Sequence, residues 1–599
     1  MTELIWEDKY DKDGHKVAPL RVQLPFQTVE TVNESAQQRQ HTLDLFSSGR
    51  PTEWRNRLIW GDKKYVLPAL LEEFAGQVNL IYIDPPFDTG QDFSFRVTVN
   101  GEDFTKEPSI IEQKAYRDTW GQGLDSYPQW FYETIVLLHE LLHETGSIYV
   151  HCDWRVNSRI RLIMDEVFGP NMFQNELVWY YPNSGLKAAS NKFHQVTDTI
   201  YVYRKSDSAT FNRLRRPRKD GQIRQAVRKF NPMTKKADMV RDENGKIVYL
   251  TIEDVLVNSM WEIPMLSQGS ERVGYDTQKP EALLERVIEA SSNLGDLILD
   301  CFVGSGTSVC VAEKLNRRWV ACDLSRFAIH TTRKRLLSMP DVKPFIVQNL
   351  GKYERQLWQA AEFGEQAEAR MMNYRSFIIK LYHAQPVTGY AWLHGVKAGR
   401  MVHVGAVDSP VSPGDVAQIA TEFKRAVGTG KDAPKTNGVD VLGWDFAFEL
   451  NELAKQQAAQ ANIDMRFLRI PREVLERKAV EQGDIRFFEL AALSVAVEQK
   501  GQSVTLKLTD FVIPPDDVPE DVRRTITHWE QWIDYWAVDW NNRGDTFHNE
   551  WQDYRTRKKR ELQKTTSHNY EQPGTYVIVV KVIDILGNDT TKTLKVEVH

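Results

Sequence analysis

From residue 54 onward the chain alternates short apolar runs with amphipathic stretches. VNLIYI at 78–83 and SIYVH at 147–151 have strand length, and each is followed by a helical period, over 130–143 and 158–168. Runs this short and this apolar predict parallel strands buried on both faces by covering helices. The alternation resumes at residue 279 with a helix over 281–292, a strand LILD at 297–300 and a glycine-rich turn. A helix to 315, a strand at 319–323 and a helix to 337 complete it. Strand and helix in this order predict an α/β unit. The intervening segment, about 175–270, is polar, basic and without sustained period, and reads as an insertion into that unit.

The flanks carry different patterns. Residues 1–50 are polar, include QQRQH and show no period, which predicts an arm that wraps another domain. Beyond about 340, VDVLGWDF at 439–446 and MRFLRI at 465–470 predict an accessory α/β domain over 351–512. The linker FVIPPDDVPED at 511–521 opens a β-rich domain over 513–599. Trp529, Trp532, Trp536 and Trp540 satisfy helical spacing, yet WIDYWAVDWNNRG also alternates like a strand ended by a turn. The strand is favoured because GTYVIVVKVIDI, a Gly587-Asn588 turn and TTKTLKVEV, farther along the chain, predict an antiparallel hairpin. That phrasing resembles the last strands of polycystic-kidney-disease-type immunoglobulin-like modules.

Length, composition and charge narrow the classes. At 599 residues the chain exceeds one core, so two to four domains are expected. With 41% apolar and 26% charged residues it has the composition of a globular protein, and no apolar run approaches the ~20 residues of a membrane span. The start MTELIWEDKYDKDGHK lacks the layout of a secretory leader, so a cytoplasmic protein without membrane contact is expected. Cys152, Cys301, Cys310 and Cys322 form no CxxC pair and read as small buried hydrophobes. A net charge of -6 excludes a uniformly basic coat. Residues 204–236 nevertheless carry twelve Lys or Arg against two Asp. Arg213, Arg215, Arg216, Arg218, Lys219, Arg224, Arg228 and Lys229 are therefore candidate contacts to a polyanion. A second basic run at 555–560 reads equally as a phosphate-contacting surface or a charged turn.

Two turns carry the candidate chemistry. The strand at 78–83 runs into Asp84-Pro85-Pro86-Phe87, where the prolines forbid helix and fix a stiff corner at the strand's carboxyl end. Ligands of open α/β sheets bind at that edge, and the corner offers a carboxylate, a carbonyl and an aromatic face to a planar amine. The strand at 297–300 delivers Asp300 and then Gly304-Ser305-Gly306, whose glycines admit close backbone approach to a ligand. A dinucleotide site would need a third glycine where Val309 stands. Asp323 ends the next strand, a position from which a carboxylate can accept ribose hydroxyls. His139-Glu140-Leu141-Leu142-His143 satisfies HExxH, but Tyr149 stands where the longer zinc signature has its third histidine, and no metal is expected.

Asp84 to Phe87 resembles the Asp/Asn/Ser-Pro-Pro-aromatic signature of DNA amino-methyltransferases. The resemblance implies that Asp84 and the Pro85 carbonyl accept hydrogen bonds from a base amine, with Pro86 fixing the corner and Phe87 stacking on an extruded base. LILDCFVGSGTSV with Asp323, preceded by TQKP, resembles the S-adenosylmethionine site of the same enzymes, although Cys301 stands where proline is common. This implies S-adenosylmethionine as cofactor beside Thr277, Gln278, Lys279, Asp300, Phe302, Gly304, Gly306, Thr307 and Asp323. IWGDKKYVLPAL is similar to the family's Gly-Asp segment and adds Asp62. The order of the pieces, over about 54–337, resembles the β class. It implies a Rossmann-like α/β methyltransferase core, over about 51–350, with an inserted target-recognition region. The leading Asp favours N6 of adenine in duplex DNA; N4 of cytosine is the alternative. The long carboxyl-terminal region resembles modification subunits of type III or type III-like restriction-modification and phage-defence systems, which implies a helicase-nuclease partner. Homodimerisation, a purely DNA-guiding role, and RNA or protein glutamine as substrate stay open.

Overall fold

The computed structural model describes residues 3–34, 38, 53–86, 95–99, 102–106, 127–182, 193–217, 223–232, 235–266, 269, 271–275, 277–364, 366–428, 434–448, 450, 462–475, 480, 485–514, 518, 520–544, 546–556 and 559–599. The apolar runs form the middle of an eleven-stranded sheet. In spatial order it contains Met260–Glu262, Phe173–Tyr180, Thr197–Arg204, Leu142–Cys152, Val78–Ile83, Leu297–Asp300, Arg318–Asp323, Asn56–Trp60, Phe345–Asn349, Gln27–Val32 and Phe547–Asn549. The six strands from Leu142–Cys152 to Phe345–Asn349 are parallel. Alternation along each strand feeds two cores. Ile81 and Ile83 pack with helices Lys63–Phe74, Tyr127–Leu141 and Asn157–Phe168, while Leu80 and Tyr82 pack with Glu281–Ser291, Thr307–Lys314 and Arg326–Leu337.

The connectivity creates a crevice. From Val78–Ile83 the chain passes through a helix to Leu142–Cys152 on one side, and from Leu297–Asp300 it passes through a helix to Arg318–Asp323 on the other. These two neighbouring strands are thus a topological switch point, the kind of place where open α/β sheets bind ligands. The Asp84 corner and the Gly304–Gly306 turn leave the sheet there from neighbouring strands, although 216 positions separate Asp84 from Asp300 in the chain.

Several expected boundaries move. Residues before 27 do lie against the helical face: the Trp6 indole donates to Gln129 at 2.9 Å, and Lys9 pairs with Glu166 at 2.8 Å. Gln27–Val32, expected within a wrapping arm, is instead a strand of the main sheet. Phe173–Tyr180, Thr197–Arg204 and Met260–Glu262 also belong to that sheet, so the inserted segment is narrower than 175–270. Between these strands lie three two-stranded ribbons: Arg215–Pro217 with Asp254–Leu256, Ile223–Ala226 with Tyr249–Ile252, and Arg228–Asn231 with Lys236–Met239.

The accessory region is α/β, with helices Gly351–Phe363, Ala367–Leu381 and Pro413–Ala426 and a six-stranded sheet whose middle strands Arg400–Val404, Gly438–Gly443 and Asp464–Arg469 are parallel. Ala492–Lys500 and Ser503–Val512, expected in this unit, join the carboxyl-terminal one. There they form an antiparallel three-stranded sheet with Thr565–Asn569. Its apolar face, including Leu506 and Leu508, packs on Trp536, Val538, Val580 and Val582 of a four-stranded antiparallel sheet. Trp529–Trp532 is a 3-10 turn and Ile533–Asp539 the strand, so the tryptophan segment combines both patterns.

This sandwich is clamped to the main-sheet core through helix Arg326–Leu337. Asp534 meets His330 at 2.8 Å and Lys334 at 2.7 Å, and Asp589 meets Arg326 at 3.2 Å and Arg469 at 3.1 Å. Glu30, fully buried, lies 2.8 Å from Arg333 and 2.7 Å from Lys581. The four cysteines are free and buried. No helix among the described residues is long and apolar enough to cross a membrane.

Candidate active site

Strand Val78–Ile83 ends at Asp84, and the buried Pro85 after it holds the corner out of the sheet. One carboxylate oxygen of Asp84 is ion-paired with the Lys279 ammonium. The other, Oδ1, is buried and has no hydrogen-bond partner among the described residues. An anionic acceptor held on one side and unmatched on the other is costly unless something donates to it. Phe87 lies outside the described residues.

Lys279 arrives from the segment ahead of helix Glu281–Ser291, where Pro280 occupies the N-cap position. Its neighbours serve the segment's shape. The buried Gln278 side chain donates to the Glu271 carbonyl at 2.8 Å and accepts from the Val273 amide at 2.9 Å, while Thr277 is exposed. Expected together as cofactor contacts, these residues divide: Lys279 turns to Asp84 and Gln278 ties its own loop.

The glycine turn is built on buried contacts. Asp300 accepts from the Phe302 amide at 2.9 Å and from the Ser308 hydroxyl. Burial pushes its carboxyl up to about 7, aided by the charges of Asp84 and Asp323 and opposed by those two hydrogen bonds. Gly304 (φ 50°) lies over the Tyr275 ring. Gly306 (φ 79°) approaches Thr332 so closely that a Cβ would stand 2.7 Å from its hydroxyl oxygen, which donates to the Gly304 carbonyl at 3.2 Å. Left-handed backbone and the tight approach both demand glycine at 306. Thr307 joins the two turns, donating to the Lys279 carbonyl at 3.1 Å and accepting from Arg335 at 2.8 Å. Tyr275, Thr332 and Arg335 carried no motif, and proximity alone reveals their part.

Asp323 accepts from the Gly304 amide at 2.9 Å with one oxygen and from the Ser325 amide at 2.9 Å with the other. Its carboxylate is thereby oriented at the mouth of the glycine turn. On the following parallel strand Asn56–Trp60, the Gly61 amide donates to the Asp323 carbonyl at 3.0 Å, and Asp62 caps helix Lys63–Phe74 through the Lys64 amide at 2.8 Å. Phe302 packs 5.6 Å from Trp130, whose ring also carries the Lys63 ammonium at 4.0 Å. Asp84, Asp300, Asp323 and Asp62 thus end or follow four consecutive parallel strands at one sheet edge.

The basic insert is largely exposed. Arg213, Arg224, Arg228 and Lys229 are open to solvent, Arg224 lying 5.3 Å from the Tyr249 ring. Arg215, also exposed, pairs with Asp254, and Arg216 is half-buried. Arg218 and Lys219 lie outside the described residues. The second basic run begins as a structural corner: Arg555 donates to the Ile533 and Glu530 carbonyls at 2.8 Å, and Lys559 pairs with Asp553. The HExxH spacing does not place two histidines on one helix. The helix ends at Leu141, Glu140 pairs with Arg21, and His143 bonds Thr145 at 2.8 Å. Among the described residues no cluster of three His, Cys, Asp or Glu could hold a metal ion.

Residues 78–334 match the family model described as DNA methylase. The chain is similar to the type II methyltransferase M.EcaI of Enterobacter cloacae, 27% identical over 330 residues, which is 47% of this chain and 69% of that protein. It is likewise similar to the DNA adenine methyltransferase YhdJ of Escherichia coli (strain K12), 27% identical over 48% of this chain and 85% of that protein. Among solved structures it aligns with the M1.HpyAVI-SAM complex at 19% identity and a TM-score of 0.30, over 47% of this chain and 100% of that one.

Proposed function

We propose that this chain, whose residues 78–334 match the DNA methylase family model, transfers a methyl group from S-adenosylmethionine to the exocyclic N6 of adenine in duplex DNA. The observation that carries the reading is the Asp84 carboxylate, braced by Lys279 on one oxygen and, among the described residues, unmatched on the buried other, beside the glycine turn. The lone pair of an aryl amine is delocalised into its ring and is a weak nucleophile. Asp84 Oδ1 and the Pro85 carbonyl accept the two amine hydrogens, favour a pyramidal nitrogen and aim its lone pair, so positioning supplies most of the rate. Phe87 stacks on the extruded base.

The nucleoside end of the cofactor fits the chain's own features. Gly304 and Gly306 give the turn its left-handed backbone and let it pack tightly on Tyr275 and Thr332, and Asp323 is oriented by two amides at the strand end suited to ribose hydroxyls. The bound cofactor supplies an electrophilic methyl on a sulfonium. Phe302 and Asp62 line the adjoining strand ends. Asp300, buried and hydrogen-bonded to the turn it precedes, shapes that turn.

Adenine over cytosine is supported by the leading Asp and by the name of the YhdJ relative. The exposed ribbons carrying Arg213, Arg215, Arg224, Arg228 and Lys229 are the proposed DNA contacts, acting on phosphates and base edges. The proposed setting is a cytoplasmic modification system. The type II name of M.EcaI supports a methyltransferase that needs no helicase-nuclease subunit more than the type III-like arrangement. The test is tritium transfer from labelled cofactor to duplex DNA, RNA or peptide, followed by long-read sequencing of the modified DNA. Asp84→Ala is expected to lower kcat by about 10²–10³-fold while cofactor binding persists. A near wild-type rate would refute the role of the corner.

A further inference from the structure

Trp154 is 54% exposed, an unusual state for an indole. Its place in the fold is specific. Strand Leu142–Cys152 runs parallel to Val78–Ile83 with Val150 beside Ile83, so Asp153 and Trp154 leave the sheet at the same edge as the Asp84 corner, one strand away. The backbone beneath the ring is fixed. Asp153 accepts from the Arg155 amide at 2.8 Å and pairs with the Arg155 guanidinium, and its carbonyl accepts from Asn157 at 3.1 Å as helix Asn157–Phe168 begins. The guanidinium lies 5.0 Å from the Trp154 ring centroid. A second exposed ring comes from the other side. Strand Thr197–Arg204 is antiparallel to Leu142–Cys152, with Thr199 opposite Cys152, so the fully exposed Phe193 just upstream also emerges at this edge.

Resting on the proposed reading of the site, we infer that Trp154 enters the duplex and fills the stack vacated by the extruded target base, with Phe193 beside it. Extruding a base costs a few kcal/mol of lost stacking and pairing, and an aromatic ring against a base returns about 1–3 kcal/mol. A ring held on a rigid turn returns this without ordering a flexible loop, and Arg155 next to it meets the backbone phosphates. The role is one of positioning: Trp154 acts on the population of extruded base.

The experiment compares the full-length wild type, Trp154→Ala and Trp154→Phe on duplexes carrying the target context read from DNA that the wild type has methylated. One duplex is fully paired, and the other places an abasic site opposite the target base. On the paired duplex Trp154→Ala is expected to lose about tenfold or more in kcat/KM, with Trp154→Phe intermediate, since stacking persists in part. On the abasic duplex, where extrusion is already easy, Trp154→Ala returns to within about threefold of wild type. A rate within about twofold of wild type on paired DNA, or an equal loss on both duplexes at unchanged melting temperature, overturns the inference. Failure of the wild type to methylate any DNA overturns the underlying reading as well, and is told apart by that control.

Discussion

Lys279 shows how much one side chain's partner decides. Expected beside the cofactor, it pairs with Asp84, the proposed acceptor of the base amine. Lys279→Met is therefore expected to lower kcat by about 10–100-fold, less than loss of Asp84 itself, with cofactor affinity within about twofold of wild type. Isothermal titration beside single-turnover methylation separates the two effects, and a selective loss of cofactor affinity would return Lys279 to the donor site. Asp300 carries a pH signature. Its folded carboxyl titrates near 7, above its ordinary value of 3.8, so the folded state holds the extra proton between those limits. Its contribution to stability is fully present below about pH 4 and declines as pH rises through 7, by up to about 4 kcal/mol. Asp300→Asn, which keeps an acceptor for Phe302, is expected to flatten that part of the melting profile in calorimetry from pH 5 to 8. An unchanged slope would mean that Asp300 is ionised throughout.

Among elements, the ribbon Arg228–Asn231 with Lys236–Met239 makes a separable prediction. Arg228 and Lys229 are exposed and lie outside the crevice. Replacing both with alanine is expected to weaken DNA binding across sequences and to lower the salt slope by roughly 1–2, with cofactor binding unchanged. Fluorescence anisotropy over a salt series reads both. Legibility followed burial at this scale. Val78–Ile83 and Leu297–Asp300 were plain in the sequence because strands covered on both faces must be continuously apolar. Gln27–Val32 was hidden because Glu30 and Thr31 break the run, and Glu30 is matched by cations 303 and 551 positions away. Residues 175–180 looked like insert because the strand's polar QNE breaks its apolar run, and its sheet membership depends on Thr197–Arg204 beyond it. The motif turns were legible as local chemistry. That Lys279 faces Asp84, 195 positions away, was not, since no spacing rule spans that distance.

At the scale of the whole molecule, Glu30, Arg333 and Lys581 join an early strand, a core helix and the carboxyl-terminal sandwich in one buried cluster. The cations outweigh burial and hold the Glu30 carboxyl below its usual range. Glu30→Gln leaves two buried cations poorly matched and is expected to cost about 3–5 kcal/mol. Limited proteolysis is expected to release the sandwich near residue 490 in that variant, and a wild-type digestion pattern would argue that sheet pairing alone secures it. The neighbouring placement of Val78–Ile83 and Leu297–Asp300 bears finally on synthesis. While the ribosome translates the 216 residues from Asp84 to Asp300, an interval of roughly 10–40 s at ~5–20 residues per second, the earlier strand waits with one backbone edge open. Nascent chains halted in that interval should bind chaperones and carry no activity, and competence should wait until the later strand, the glycine turn and Asp323 have all left the exit tunnel.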